Sequence, residues 1–424
     1  MQTSLTQIIG IGAAGLSIAV AADKEDRFTE LLEAGIVFID KSDLTNIDSQ
    51  SLNYYINSNS SALGFLSSIR EDGIFKEVFD SEIVKKIRSY GENILPLNLI
   101  AQFLRLLAEK VKKEIESYPK SKFIIGTEVK FIKINQDGCY ESFDENNNLL
   151  ATSTNLVIAT GAYCKDKKHL NLDASENFIL KNLESCRWFV ADDMMRCEST
   201  TDFEKILKDK VPDKFILVGG SFSAFAIAHQ IKNLNPPLSE KSIYILHRRE
   251  IQLYFDSEYE AKECNYTFDD ANDKIDPQNG AVNRFCGLRG DAKNLYLSIK
   301  NGEENQVILI NGISEKPEDI EKKIGEINCD NTIIIVAIGY ESRRIKIIDF
   351  SGQEVNFGCS QKGIVKVDEY GRILNDSHTA IQGLFGIGIG YPRKLDEHEE
   401  RCDRIGVNIF QGMDAPEILR KILD

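Results

Sequence analysis

Runs of apolar residues that break off into glycine are the dominant pattern of this chain. Gln7-Ile8-Ile9 leads through Gly10-Ile11-Gly12-Ala13-Ala14-Gly15 into a stretch of small and apolar residues. That order reads as a buried strand, a tight turn and a close-packed helix. A second apolar run, Ile36-Val37-Phe38-Ile39, follows and ends on Asp40. The same order recurs from Phe215. Ile216-Leu217-Val218 runs into Gly219-Gly220-Ser221-Phe222-Ser223-Ala224, a helix extends to about Lys232, and Ile243-Tyr244-Ile245-Leu246 ends on His247-Arg248-Arg249. Gly10 to Asp40 is 30 positions and Gly219 to Arg248 is 29. Both match the roughly 30 residues of a strand–helix–strand crossover, so the chain holds two βαβ units.

Three further runs, Asn155–Ala162, Ile333–Tyr340 and Gly383–Gly390, read as buried parallel strands that enter glycine turns. Residues 41–120 are mainly helical. The clearest helix is Leu97–Ile115, with Leu99, Ile100, Phe103, Leu104, Leu107 and Val111 on one face and Pro96 just ahead of it. Residues 122–158 alternate as antiparallel strands around turns at Gln136-Asp137-Gly138 and Asn146-Asn147-Asn148. Residues 255–330 mix loops and strands with a helix over Lys293–Lys300, and Gly406–Leu423 is a terminal helix. Residues 162–213 carry no clear pattern.

At 424 residues the chain exceeds what one hydrophobic core fills, so two or three domains are expected. With 42% hydrophobic residues and nine prolines, disorder throughout is excluded. The 51 basic and 66 acidic side chains leave a net charge of −15, which repels phosphate backbones and argues against nucleic acid as a partner. No apolar run reaches about 20 residues, so no membrane span is expected. The first 22 residues are apolar but hold no Lys or Arg and contain three spaced glycines. They are read as part of the fold rather than as a signal peptide, and the location expected is cytoplasmic.

The first turn has a physical reason at each glycine. Gly10 permits the tight turn, Gly12 leaves room for a pyrophosphate against the backbone, and Gly15 lets helix and strand pack closely. The helix start, which includes Ala14, offers N–H groups and a positive dipole end to the same anion. Asp40, followed by Lys41, is placed to accept bonds from the ribose hydroxyls of an adenosine. In the second turn Ser223-Ala224 replaces the third glycine. There the acid at the strand end is missing, and Arg248-Arg249 suit a ribose 2′-phosphate instead.

The nine cysteines include no pair two residues apart, which argues against a CxxC redox pair or a zinc ribbon. All nine, Cys197 and Cys402 among them, are expected to be mostly reduced thiols. The five histidines show no metal-ligand spacing, so no metal site is expected. His398 stands in an acid-rich segment read as a solvated loop.

The order of these motifs resembles the flavoproteins with two dinucleotide-binding domains, from one end of the chain to the other. Gly10–Gly15 with Asp40 resembles the FAD fingerprint. Ala159-Thr160-Gly161 is similar to the ATG motif that leaves the first domain. Gly219–Ala224 resembles the NADPH turn, Ala337-Ile338-Gly339-Tyr340 the second motif of ATG type, and Gly383–Gly390 the segment along the ribityl chain. The resemblance implies an α/β fold of two Rossmann-like domains, with a mainly helical segment inserted after the first βαβ unit. An FAD domain (residues 1–195 and 346–424) would be interrupted by an NADPH domain (196–345). The cofactor contacts implied are Gly10, Gly12, Ala14, Gly15, Asp40, Lys41, Ala159, Thr160, Gly161, Gly219, Gly220, Ser221, Ser223, Arg248, Arg249, Ala337, Gly339, Tyr340, Gly388 and Gly406.

The disulfide reductases of that superfamily need a cysteine pair beside the flavin, and this chain has none. The Gly339-Tyr340 ending looks more like the N-hydroxylating and other flavin-dependent monooxygenases, as do, more faintly, Ile56–Ser60 and Phe285–Asp291. The Baeyer–Villiger fingerprint is missing. The implied activity is hydride transfer from NADPH to FAD, then activation of O₂ as a flavin hydroperoxide, acting on a small metabolite. Asn57 and Asn59 are the candidate polar groups beside the flavin ring. A reductase passing electrons to another acceptor, or a flavin-binding sensor or structural subunit, stays as the alternative. The oligomeric state is left open.

Overall fold

The computed structural model describes residues 2–43, 52–170, 180–181, 183–196, 207, 212–234, 238–268, 273–276, 280–284, 286–393 and 406–424. Cys197, Phe285, Cys402 and the acid-rich segment around His398 lie outside the described residues. The chain divides into two compact units. The first comprises Met1–Asn53, Ser60–Tyr163 and Tyr340–Asp424, and the second Tyr54–Asn59 and Cys164–Gly339.

In the first unit, β1 (Ser4–Ile9) lies between β2 (Ile36–Ile39) and β6 (Leu149–Ile158), all parallel. β3 (Lys122–Ile124) extends this sheet beyond β2, and β16 (Ala380–Gly386) pairs with the last residues of β6. Side chains alternate between the faces because successive Cβ atoms of a strand point opposite ways. Ile8, Phe38, Val157 and Phe385 pack with the helices Ala13–Lys24, Leu97–Ile115 and Ala415–Leu423. Ile9, Ile39, Leu156 and Ile158 fill the other face with Ile132, Tyr140 and Ile347. Both faces are covered, which is why these strands read as unbroken apolar runs.

Leu97–Ile115 forms as its spacing predicts, with Leu99, Ile100, Phe103, Leu104, Leu107 and Val111 buried. The expected antiparallel block begins later than 122. β3 is parallel to β2, because the helix between them returns the chain in the same direction. The antiparallel part is β4 (Phe131–Ile134), β5 (Tyr140–Phe143) and the start of β6. Buried Gln7 ties it to β1, donating from Nε2 to the Tyr140 carbonyl at 3.0 Å and accepting from Ser142 at 2.6 Å. β14 (Lys346–Ile348) adds to β4, and β15 (Arg372–Leu374) to β16.

The second unit repeats the plan. β9 (Lys214–Val218) lies between β10 (Ile243–His247) and β12 (Thr332–Val336), with β11 (Val307–Asn311) and β8 (Arg187–Val190) at the edges, all parallel. β8 pairs along β12, so residues from Cys164 onward belong with this unit, and the divisions fall at 163/164 and 339/340 rather than at 195/196 and 345/346. Cys186 and Cys329, which precede the neighbouring β8 and β12, are joined by a disulfide. That corrects the expectation of reduced thiols for this pair; their separation of 143 residues gave no sign of it. β7 (Ala162–Cys164) and β13 (Tyr340–Ser342) form a separate two-stranded ladder.

Candidate functional site

Each unit carries its glycine turn at the carboxyl edge of its sheet, where open α/β sheets bind their ligands. In the first unit the Gly10 N–H donates to the Ile39 carbonyl, and the Ala159 N–H to that of Ile9, both at 2.8 Å. Gly10 has φ +102°, and a Cβ there would overlap the Ala159 carbonyl oxygen and lie 2.8 Å from its carbon. In the second unit Gly219 donates to Leu246, and Ala337 to Val218, again at 2.8 Å. Gly219 has φ +139°, and its Cβ would overlap the Ala337 carbonyl in the same way. So the alanines of the two motifs of ATG type are the floors on which the two turns rest. Nothing in the linear sequence shows that Gly10 needs Ala159, or Gly219 needs Ala337.

Asp40 serves the first turn directly. Its Oδ2 accepts from the Ile11 N–H at 2.6 Å and its Oδ1 from the Ser42 N–H at 2.8 Å. The helix Ala13–Lys24 starts at Gly12 with no acidic residue in its first turn. Gly388 packs on it so closely that a Cβ would stand 2.8 Å from that of Ala14. The structure thus gathers Gly10, Gly12, Ala14, Gly15, Asp40, Ala159 and Gly388 at one edge. Lys41 is exposed beside them. Gly406 opens the terminal helical segment, whose turn Phe410–Asp414 is π-helical and packs against Ala13–Lys24.

Thr160 and Gly161 hold the next segment in place. The Thr160 hydroxyl donates to the Arg343 carbonyl at 2.5 Å, the Tyr391 hydroxyl donates to the same oxygen at 2.9 Å, and Arg343 N–H donates to Gly161 at 3.1 Å. Tyr391 is fully buried, and that burial pushes its phenol well above the usual range, so it stays a donor. Sequence reading missed Tyr391, because an isolated tyrosine after a glycine turn carries no periodic signal.

In the second unit Gly220 abuts His247, with a Cβ there 2.6 Å from that of His247. The His247 ring bonds the Arg249 carbonyl at 2.9 Å, so the bend after β10 lies beside the turn with Arg248 and Arg249 exposed. Ser221 is the N-cap of Phe222–Lys232 without capping it through its side chain, and no acid occupies that first turn, which includes Ser223. Gly339 accepts from the Lys165 N–H at 3.0 Å, and Tyr340 opens β13.

Asn57 and Asn59 group with the second unit rather than with the domain in which the sequence put them. Tyr54 anchors the segment, donating to Asp192 at 2.8 Å, while the Tyr55 N–H donates to Met195 at 2.8 Å. Asn57 Nδ2 donates to Asp291 at 2.7 Å. Among the described residues, buried Asn59 Oδ1 has no hydrogen-bond partner. Burial, with the carboxylates of Asp192 and Asp193 nearby, raises the Cys164 thiol, so it is not poised as a thiolate. The Cys186–Cys329 bond lies at the opposite, amino edge of the sheet from the Gly219 turn.

Among known proteins, CMP-5′-(3-aminopropyl)phosphonate hydroxylase of Streptomyces rubellomurinus is 23% identical over 444 residues, spanning 99% of this chain and 97% of that protein. Three solved structures share the fold. L-lysine 6-monooxygenase from Pseudomonas syringae is 13% identical with a TM-score of 0.59, covering 99% of each chain. Ornithine hydroxylase from Pseudomonas aeruginosa is 12% identical with a TM-score of 0.59, over 99% of this chain and 98% of that one. The FAD-bound cadaverine monooxygenase of Erwinia amylovora is 13% identical with a TM-score of 0.58, over 100% and 95%. The description of the pyridine nucleotide-disulphide oxidoreductases matches residues 6–388. By that match, which spans both glycine turns and both alanine floors, the chain belongs to the pyridine nucleotide-disulphide oxidoreductase family.

Proposed function

We propose that this oxidoreductase is an NADPH-dependent, FAD-containing monooxygenase that hydroxylates the nitrogen of a small amine. The observation that carries the reading is the pair of glycine turns, each locked on an alanine floor, with no cysteine pair at either turn. Both turns fit a dinucleotide: each opens a helix free of acids in its first turn, so each helix start favours an anion. FAD, when bound, accepts hydride from NADPH and activates O₂. The amine substrates in the names of the lysine, ornithine and cadaverine enzymes and of the phosphonate hydroxylase support this reaction over disulfide reduction.

The chain's own residues bind and orient. Gly10, Gly12 and Gly15 admit the FAD pyrophosphate, and Asp40, already holding the turn through two N–H groups, offers its remaining lone pairs to the ribose. Gly219 and Gly220 admit the NADPH pyrophosphate, and Arg248 and Arg249 take its 2′-phosphate. Asn57 is fixed by Asp291 and acts as a positioning residue, whereas Asn59 Oδ1 accepts an N–H of the bound ligands. The test is a visible spectrum of the purified protein, then NADPH oxidation and O₂ uptake with and without primary amines. Oxidised-flavin bands and amine-stimulated O₂ uptake that yields a hydroxylamine are expected. NADPH oxidation that needs an added electron acceptor would move the chain to the acceptor reductases.

A further inference from the structure

The disulfide between Cys186 and Cys329 has a place in the second unit that gives it leverage. It stands at the amino edge of the sheet, opposite the Gly219 turn, so it is not a redox pair beside a bound nucleotide. β8 is an edge strand of four residues that pairs with β12 alone. Cys186 directly precedes β8, and Cys329 opens the short turn Cys329–Asn331 that leads into β12. Two further ties at that end lie at the surface. Exposed Arg187 donates to the Asp330 carbonyl at 2.6 Å, and the Lys167 ammonium lies 3.6 Å from Glu184. Exposed polar contacts of this kind hold weakly. The covalent bond is therefore the firmest tether on the amino end of β8. Cys186 is buried, whereas Cys329 is partly exposed between exposed Asn328 and Asp330, and the Ser185 hydroxyl donates to its Sγ at 3.4 Å. A thiol or disulfide from solution meets Cys329 first.

β8 runs straight into the helix Ala191–Met195, whose N-cap is Val190, the last residue of the strand. Asp192 in that helix accepts from the Tyr54 hydroxyl at 2.8 Å and pairs with Arg196 at 2.7 Å, and the Met195 carbonyl accepts from the Tyr55 N–H at 2.8 Å. Those bonds hold the segment that carries Asn57. Ala191–Met195 also packs against Phe222–Lys232, the helix that the Gly219 turn opens. Loosening β8 thus reaches the nucleotide turn of its own unit. We propose that Cys186 and Cys329 form a reversible thiol–disulfide switch. The oxidised pair fixes β8 and the elements it carries, and the reduced pair releases them and weakens NADPH binding. The effect on the nucleotide rests on the NADPH reading of this unit, but the local change can be read without any nucleotide. The oxidant is a low-molecular-weight disulfide, RSSR. The Cys329 thiolate attacks one of its sulfurs, expels RS⁻ and becomes Cys329–S–SR. The Cys186 thiolate then attacks Cys329 Sγ and expels the second RS⁻. Two electrons pass from the pair to RSSR, and the two cysteine protons end on the two RSH released. Excess RSH reverses both steps.

The test uses the holoenzyme, oxidised with glutathione disulfide or reduced with dithiothreitol, without denaturant. Trp188, the chain's single tryptophan, lies in β8 two residues from Cys186, so its fluorescence should follow the ratio of reduced to oxidised glutathione. Hydrogen exchange over 187–196 and 54–59 should be about tenfold faster in the reduced form, with β9 and β10 changed by less than about twofold. The calorimetric Kd for NADP⁺ should be about fivefold higher in the reduced form. Cys329→Ser should match the reduced wild type and ignore the glutathione ratio, and Cys359→Ser should respond like the wild type. A bond that dithiothreitol cannot open in the folded protein is a permanent staple and overturns the switch. Exchange that is equal in the two forms, or that rises alike across β9 and β10, overturns it too, as does NADP⁺ bound equally well by both forms. No NADP⁺ binding in either form, with the local difference in exchange intact, would uphold the switch on β8 and sink the nucleotide reading of the second unit.

Discussion

At the scale of single residues the two glycine turns are the least tolerant positions. Gly10→Ala and Gly219→Ala each force a side chain onto positive φ and into a carbonyl. Such strain costs about 1–3 kcal/mol, and overpacking about as much again. We expect Gly10→Ala to lose flavin, and Gly219→Ala to keep flavin while losing reduction by NADPH. The ratio of flavin to protein absorbance and the rate of anaerobic reduction report the two outcomes. Arg248 and Arg249 should set nucleotide choice, since charge-assisted bonds contribute roughly 1.5–3 kcal/mol each. Replacing both with Ala should raise the KM for NADPH about tenfold or more and leave NADH nearly unaffected. Equal losses for both nucleotides would place the arginines on the shared pyrophosphate. Asp23 shows a different kind of constraint. It is 2% exposed, its Oδ1 accepts from the Ile74 N–H at 2.9 Å and lies 3.9 Å from Arg70, and among the described residues its Oδ2 has no partner. Burial raises its pKa above 3.8. The folded state therefore holds this proton more tightly than the unfolded chain. Its contribution is fully present below the unfolded pKa and is lost as pH rises through the folded one. Asp23→Asn should be more stable than the wild type by about 1 kcal/mol near neutral pH. That gap should close as the pH falls toward 4, as measured by paired denaturant titrations.

At the scale of elements, local pattern and tertiary pairing part company. Leu97–Ile115 and Phe222–Lys232 follow from apolar spacing, because a helix satisfies its backbone within itself. β3 and β8 do not, because a strand is completed by a partner distant in sequence; the partners are β2 and β12. The terminal segment is read as one helix, yet it is wound as a π turn over Phe410–Asp414. There Asp414 meets Arg393 at 2.9 Å, with side chains only 6% and 7% exposed. Arg393 also donates to the Glu369 and Met413 carbonyls. Removing one partner of a buried pair leaves the other charge uncompensated, which costs about 3–5 kcal/mol. Asp414→Ala should lower stability by about that amount. The double variant Arg393→Met, Asp414→Leu should lose much less, and equal losses would show that the pair is not coupled.

At the scale of the whole molecule, the second unit interrupts the first between Tyr163 and Tyr340. Lys165 and Gly339, near the two ends of the insert, are joined by a 3.0 Å hydrogen bond. A short Gly-Ser linker can therefore replace 164–339, since closing such a gap costs little loop entropy. The shortened chain should fold, bind flavin and fail to be reduced by NADPH, with dithionite still reducing it. A shortened chain that is insoluble or free of flavin would show that the first unit needs the second.

The sequence by itself determined the two βαβ units, their spacing, the acid after one and the arginines after the other. Those features are local: backbone conformation, apolar periodicity and helix-start chemistry are set by neighbours within about 30 residues. Tertiary structure alone decided what the glycines rest on, for Ala159 and Ala337 meet Gly10 and Gly219 only once parallel strands are in register. It also decided that Tyr54–Asn59 joins the second unit and that Cys186 reaches Cys329. Each of these depends on which distant segments the packed sheets bring side by side, and a linear pattern holds no measure of that distance.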